Sequence, residues 1–180
     1  MKGIVFTEFL EMVEARFSSE MVDDIIDDST LPSNGAYTAV GTYHHQEMVE
    51  LVSALSRRSG SPPSELLKQF GYHLFGRFVA GYPSFFVGTS DALQFLAGIE
   101  QIIHAEVRKL YPDAELPRFE VEHHDADTLS LRYESRRHFE DLAEGLILGC
   151  IAHFGGSIAL SRETVGEGPS SQERFLLRRG

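Results

Sequence analysis

At 180 residues the chain is the size of one domain, large enough to bury a core and still enclose a pocket. A formal net charge of −11, with 27 acidic side chains against 16 Lys and Arg, excludes the clustered basic footprint of a nucleic-acid binder. The single cysteine, Cys150, excludes an internal disulfide and a Cys-based zinc cage and suits a reducing compartment, so a cytoplasmic protein is expected.

The opening run, MKGIVFTEFLEMVEARF, has no basic leader and no unbroken apolar core, because Glu8, Glu11 and Glu14 interrupt it at helical spacing; it is expected to be mature protein. Ile4, Val5, Phe9, Met12, Val13 and Phe17 predict a first helix. A second run, MVDDII, ends at the turn-forming Leu31-Pro32-Ser33-Asn34-Gly35, and a third amphipathic segment covers Gln46 to Ser56. Ser61-Pro62-Pro63-Ser64-Glu65 then starts a helix through ELLKQFGYHLFGRFVAGY, with proline tolerated in the first turn. Asp91 opens a long predicted helix that reaches about Tyr111, and Pro112 and Pro117 punctuate the stretch after it.

Beyond residue 117 the period changes from helical to alternating. FEVEH and TLSLRYES, with Asp125-Ala126-Asp127 between them, predict a hairpin. A helix from about 138 to 154 separates it from a second hairpin built of SIALSRETV, a polar Gly-Glu-Gly-Pro-Ser-Ser turn and ERFLLRR. The most apolar stretch, residues 142–160, contains Glu144 and His153 and breaks at Gly155-Gly156, short of the roughly 20 apolar residues of a spanning helix; no membrane segment is expected. The layout is α+β: an N-terminal helical part, then a C-terminal four-stranded antiparallel sheet with a helix between its hairpins, all in one domain over 1–180.

Two patterns carry chemistry. On a regular helix, Leu93, Ala97, Glu100, Val107 and Tyr111 share a face with His104, a wall apolar except for Glu100. An imidazole there can be a metal ligand or a core histidine bonded to a carbonyl. In LRYESRR, Tyr133, Ser135 and Arg137 project to one side of an extended strand, and two hydroxyls beside a guanidinium suit a carboxylate. A solvated strand edge would read the same way.

With both patterns in this order, about thirty residues apart, the chain resembles the haem-nitric oxide and oxygen binding (H-NOX) family, which includes the haem domain of soluble guanylate cyclase; the likeness runs from MKGIVF to the last hairpin. The resemblance implies the H-NOX fold, with haem between the helical part and the sheet. It makes His104, placed before Lys109-Leu110-Tyr111-Pro112, the iron ligand, and Tyr133, Ser135 and Arg137 the clamp on the haem propionates. Pro117 falls where the family has a proline that bends the macrocycle. The implied cofactor is haem b, iron protoporphyrin IX held non-covalently; Cys150-Ile-Ala-His153 has only one of the two thiols that covalent attachment needs.

In oxygen-binding members a distal tyrosine, supported by a tryptophan and an asparagine, donates to bound oxygen. The corresponding places fall here on Leu142, Phe9 and Leu74, with Val5 and Phe78 extending an apolar wall, so the resemblance implies nitric oxide and carbon monoxide as ligands and exclusion of oxygen. His138 is the nearby side chain that could act as a donor by turning inward. Nitric oxide weakens the trans iron–histidine bond, which implies release of His104, relaxation of its helix, and signalling to a separate protein such as a histidine kinase or a cyclic-di-GMP enzyme. No nucleophile–base pair points to an enzyme. The competing expectation is a module that uses the same pocket for a non-gas ligand or for protein contact, with Glu100 as its support, because an unpaired carboxylate beside a haem is costly to bury. His44-His45, His123-His124 and Cys150 are weaker metal or redox candidates, and Asp23, Asp24, Asp27 and Asp28 read as a solvated face.

Overall fold

The structure, a computed structural model, describes residues 1–166 and 168–180, Leu110 by its backbone alone. Helices α1 (Gly3–Arg16), α2 (Ser19–Asp27), α3 (His45–Ser59) and α4 (Pro63–Gly81) fill the first part of the chain. Their ends follow local chemistry. Ser18 caps α2 by accepting from the Met21 amide, Gly60 closes α3 in the left-handed region at φ 73, and Pro63 sits in the first turn of α4.

The long helix expected from Asp91 is instead three pieces. α5 (Ala92–Ala97), capped by Asp91, passes through Gly98 into a π-helical turn (Ile99–His104) and then α6 (Ala105–Leu110). Gly98 and the β-branched Ile99, Ile102 and Ile103 all weaken the regular α form, and π turns of this kind concentrate at functional sites. Tyr111, held out of the helical region by the proline after it, ends the segment.

Strands β1 (Arg118–His124), β2 (Thr128–Ser135), β3 (Ile158–Gly166) and β4 (Ser171–Arg179) form one antiparallel sheet in the order β1-β2-β4-β3. The two hairpins of the sequence thus join through their inner strands, and Glu167 of the second hairpin's turn lies outside the described residues. Leu129, Leu131 and Tyr133 of β2 and Phe175 and Leu177 of β4 alternate onto the buried face. α7 (Glu140–Phe154) packs on that face and starts two residues later than expected, because His138 takes a left-handed conformation at φ 54 that turns the chain before the helix. Among the described residues no helix is long and apolar enough to cross a membrane.

Two cores result. One fills the helical half around Phe6, Phe9, Met12, Leu51 and Phe70; the other joins α5, α7 and the sheet through Leu93, Phe95, Ile147 and Phe175. α4 and α7 bridge them at very close range. A Cβ on Gly145 would lie 2.0 Å from the Lys68 carbonyl oxygen, and one on Gly71 would lie 2.2 Å from that of Leu142. Both obstacles are backbone, so no side-chain rotation relieves them. Gly145→Ala is therefore expected to destabilise the fold by roughly 1–3 kcal/mol, even after the ~1 kcal/mol alanine gains in helix propensity. A lower urea midpoint at unchanged slope is the result to look for.

Candidate functional site

The seam between the cores opens into a cavity of about 750 Å³, in the range of cofactor and ligand sites. Its walls come from α1 (Val5), α4 (Leu74, Phe78), α7 (Leu142, Leu146) and the segment from Leu96 to Tyr111, and its rim from Pro117 and the end of β2. Most of the lining is carbon. An apolar, flat-walled space of this kind holds a large planar group by area burial, and the few polar side chains then fix its orientation.

His104 lines this cavity at the end of the π turn, with its side chain 12% exposed. Its Nδ1 lies 2.9 Å from Glu100 Oε1, and its ring packs on Phe119 at 6.0 Å. Burial holds the imidazole below its usual basicity, more than the Glu100 carboxylate raises it. A neutral ring that donates Nδ1–H to Glu100 keeps its lone pair on Nε2, the atom left for a metal. Glu100 in turn is raised by burial but held below the usual carboxylate range by hydrogen bonds from the Phe119 amide, His104 and Arg108. The carboxylate that seemed costly beside a cofactor is fully partnered.

At the rim, Tyr133 and Ser135 are buried on the inner face of β2, and Arg137 lies in the turn beyond the strand. Burial pushes the Tyr133 phenol up to about 12, so it remains an O–H donor at neutral pH. The Ser135 hydroxyl accepts from the Arg137 amide at 3.1 Å, which sets the turn. The Arg137 guanidinium carries a carboxylate, that of the exposed Glu115, at 2.5 Å. This donor set fits an anionic edge entering from the rim.

Opposite His104's segment, Val5, Leu74, Phe78 and Leu142 line the cavity as expected, and Pro117 lies at its margin. Phe9 does not line it: it is fully buried behind the wall, edge-on to Phe70 at 5.2 Å. His138 is exposed at the corner before α7, so it offers the wall no donor. The π turn also changes which residues reach the cavity: Leu96, Ile99, Ile103, His104 and Val107 do, whereas Leu93, Ala97 and Glu100, placed there by a regular helix, do not line it. Phe119 and Leu146 were missed. Phe119 alternates with charged residues in FEVEH, and Leu146 lies one turn after Leu142, so both had a readable signal.

The other candidates have structural roles. His44 caps α3 by accepting from the Gln46 amide, and its ring stacks on His45; His123 pairs with Asp125 in the hairpin turn. Asp24 and Asp28 both bind Arg58 at 2.6 Å. Burial pushes the Cys150 thiol up, leaving it protonated inside the core. Among the described residues no group of three or more His, Cys, Asp and Glu could hold a metal ion.

The sequence model of the family described as Haem-NO-binding matches residues 2–162. No curated protein matches the chain. An unliganded Fe(II) H-NOX protein from K. algicida is 40% identical, is covered over 100% of this chain and 97% of its own, and superposes with a TM-score of 0.94. The solution structure of an IWP-051-bound H-NOX from Shewanella woodyi in the Fe(II)CO state is 37% identical over 100% and 95% of the two chains, with a TM-score of 0.84. An H-NOX protein from S. oneidensis in the Fe(II)NO state is 26% identical over 100% and 99%, with a TM-score of 0.90.

Proposed function

The chain belongs to the Haem-NO-binding family, a family of haem-based gas sensors, and on that premise we propose that it senses nitric oxide through a b-type haem seated in the cavity between its two cores. The observation that carries this reading is one cavity in which His104, the Tyr133–Ser135–Arg137 rim and the apolar side chains of Val5, Leu74, Phe78 and Leu142 meet. When bound, the haem would supply a ferrous iron able to take a diatomic gas. His104, whose Nδ1 is bonded to Glu100, would hold the metal through Nε2. Tyr133, Ser135 and Arg137 would hold the propionates, Arg137 in place of its exposed Glu115 partner. Pro117, at the rim, would lie against the macrocycle.

Discrimination falls to the apolar wall. Bound oxygen draws negative charge and gains from a donor, whereas nitric oxide and carbon monoxide bind ferrous haem without one. Val5, Leu74, Phe78 and Leu142 offer none. Signalling would arise from what His104 is attached to: a weakened hold on His104 would free the end of the π turn and α6 to shift while Glu100 stays bonded to β1, a two-state element biased by ligand. The chain acts as a non-catalytic sensor for a separate partner, such as a histidine kinase or a cyclic-di-GMP enzyme. The pairing of Glu100 removes the main support for a pocket used only for a non-gas ligand or protein contact.

The test is the absorption spectrum of the purified, haem-loaded ferrous protein. Nitric oxide and carbon monoxide should each shift the main haem band, and air should leave it in place until slow oxidation. A band unmoved by nitric oxide, or one that air shifts as readily as carbon monoxide, would overturn the proposal.

A further inference from the structure

Glu100 is more than a satisfied acid. Its Oε1 accepts from His104 Nδ1 and from the Phe119 amide at the start of β1, both at 2.9 Å, and its Oε2 accepts from Arg108 at 3.2 Å. With its side chain 20% exposed and three donors on two oxygens, the carboxylate is fixed between the π turn and the sheet. A fixed anion on the far nitrogen of a ligating imidazole has two effects: it locks the tautomer with Nε2 free, and it raises the electron density the ring gives to its metal.

We infer that Glu100 is a positioning residue that sets how firmly His104 grips its metal, and hence how readily a gas on the other side releases it. The inference rests on the reading of His104 as the iron ligand. The Phe119 amide anchors the carboxylate independently of His104, so Glu100 stays with the sheet when the histidine leaves. To leave, the ring would have to give up its hydrogen bond to Glu100 as well as its hold on the metal, which would raise the threshold for release. Arg108, half-exposed, softens the anion without displacing it.

Glu100→Gln removes the charge but keeps an acceptor of the same shape, and Glu100→Ala removes both. In the haem-loaded ferrous proteins, the iron–histidine stretching band should move to lower frequency in Glu100→Gln and further in Glu100→Ala. The midpoint potential should become more positive in the same order. The rate at which His104 leaves under saturating nitric oxide, tracked by the haem band, should rise roughly tenfold or more. A merely structural role for Glu100 would move none of these in the glutamine variant. Should both variants load haem through His104 with the band and potential of the parent, the inference fails while the sensor reading stands. If instead the ferrous parent shows no iron–histidine band, the sensor reading fails first.

Discussion

Replacing His104 with glycine is expected to strip the purified protein of haem, and added imidazole to restore it. Removal of the proposed metal ligand should cost more than the roughly 10–100-fold that losing an outer-shell partner costs a metal site. The substitution leaves a slot the size of the lost ring, floored by Phe119 and ending at Glu100 Oε1. A free imidazole entering it finds the same acceptor for one nitrogen and presents the other to the cavity. Glycine in this segment costs only about 1 kcal/mol of helix propensity, and a far-UV circular dichroism spectrum equal to that of the parent would exclude unfolding as the cause. Haem content and band position unchanged without imidazole would remove His104 from the metal and, with it, the account of release.

The second large effect is a gain. Leu142→Tyr places a phenolic donor on the cavity wall, at the position where the resemblance puts the tyrosine of the oxygen-binding members. A hydrogen bond to a charged partner contributes about 1.5–3 kcal/mol, so oxygen affinity should rise by roughly 10–150-fold. The lower end is expected, because Leu74 offers no polar support and Phe9 sits behind the wall against Phe70 rather than on it. Ferrous spectra of parent and variant in air against argon decide the point. An oxygen band of equal strength in both would mean that the wall does not discriminate.

The element order, the change of period after residue 117 and most of the cavity lining were legible in the sequence, because the spacing of apolar residues records which face of a helix or strand is covered. His104 and the Tyr133–Ser135–Arg137 rim were found as local patterns, each meaningful only beside the other. Tertiary structure alone decided the break of the 91–111 segment into α5, a π turn and α6, which moved Leu93, Ala97 and Glu100 off the cavity wall and brought Ile99 and Ile103 onto it. It also decided the fate of Glu100, whose amide partner lies 19 residues along the chain on a strand. The pattern of one helix carries no information about a hydrogen bond closed by another element, nor about a turn that changes the very period from which faces are counted.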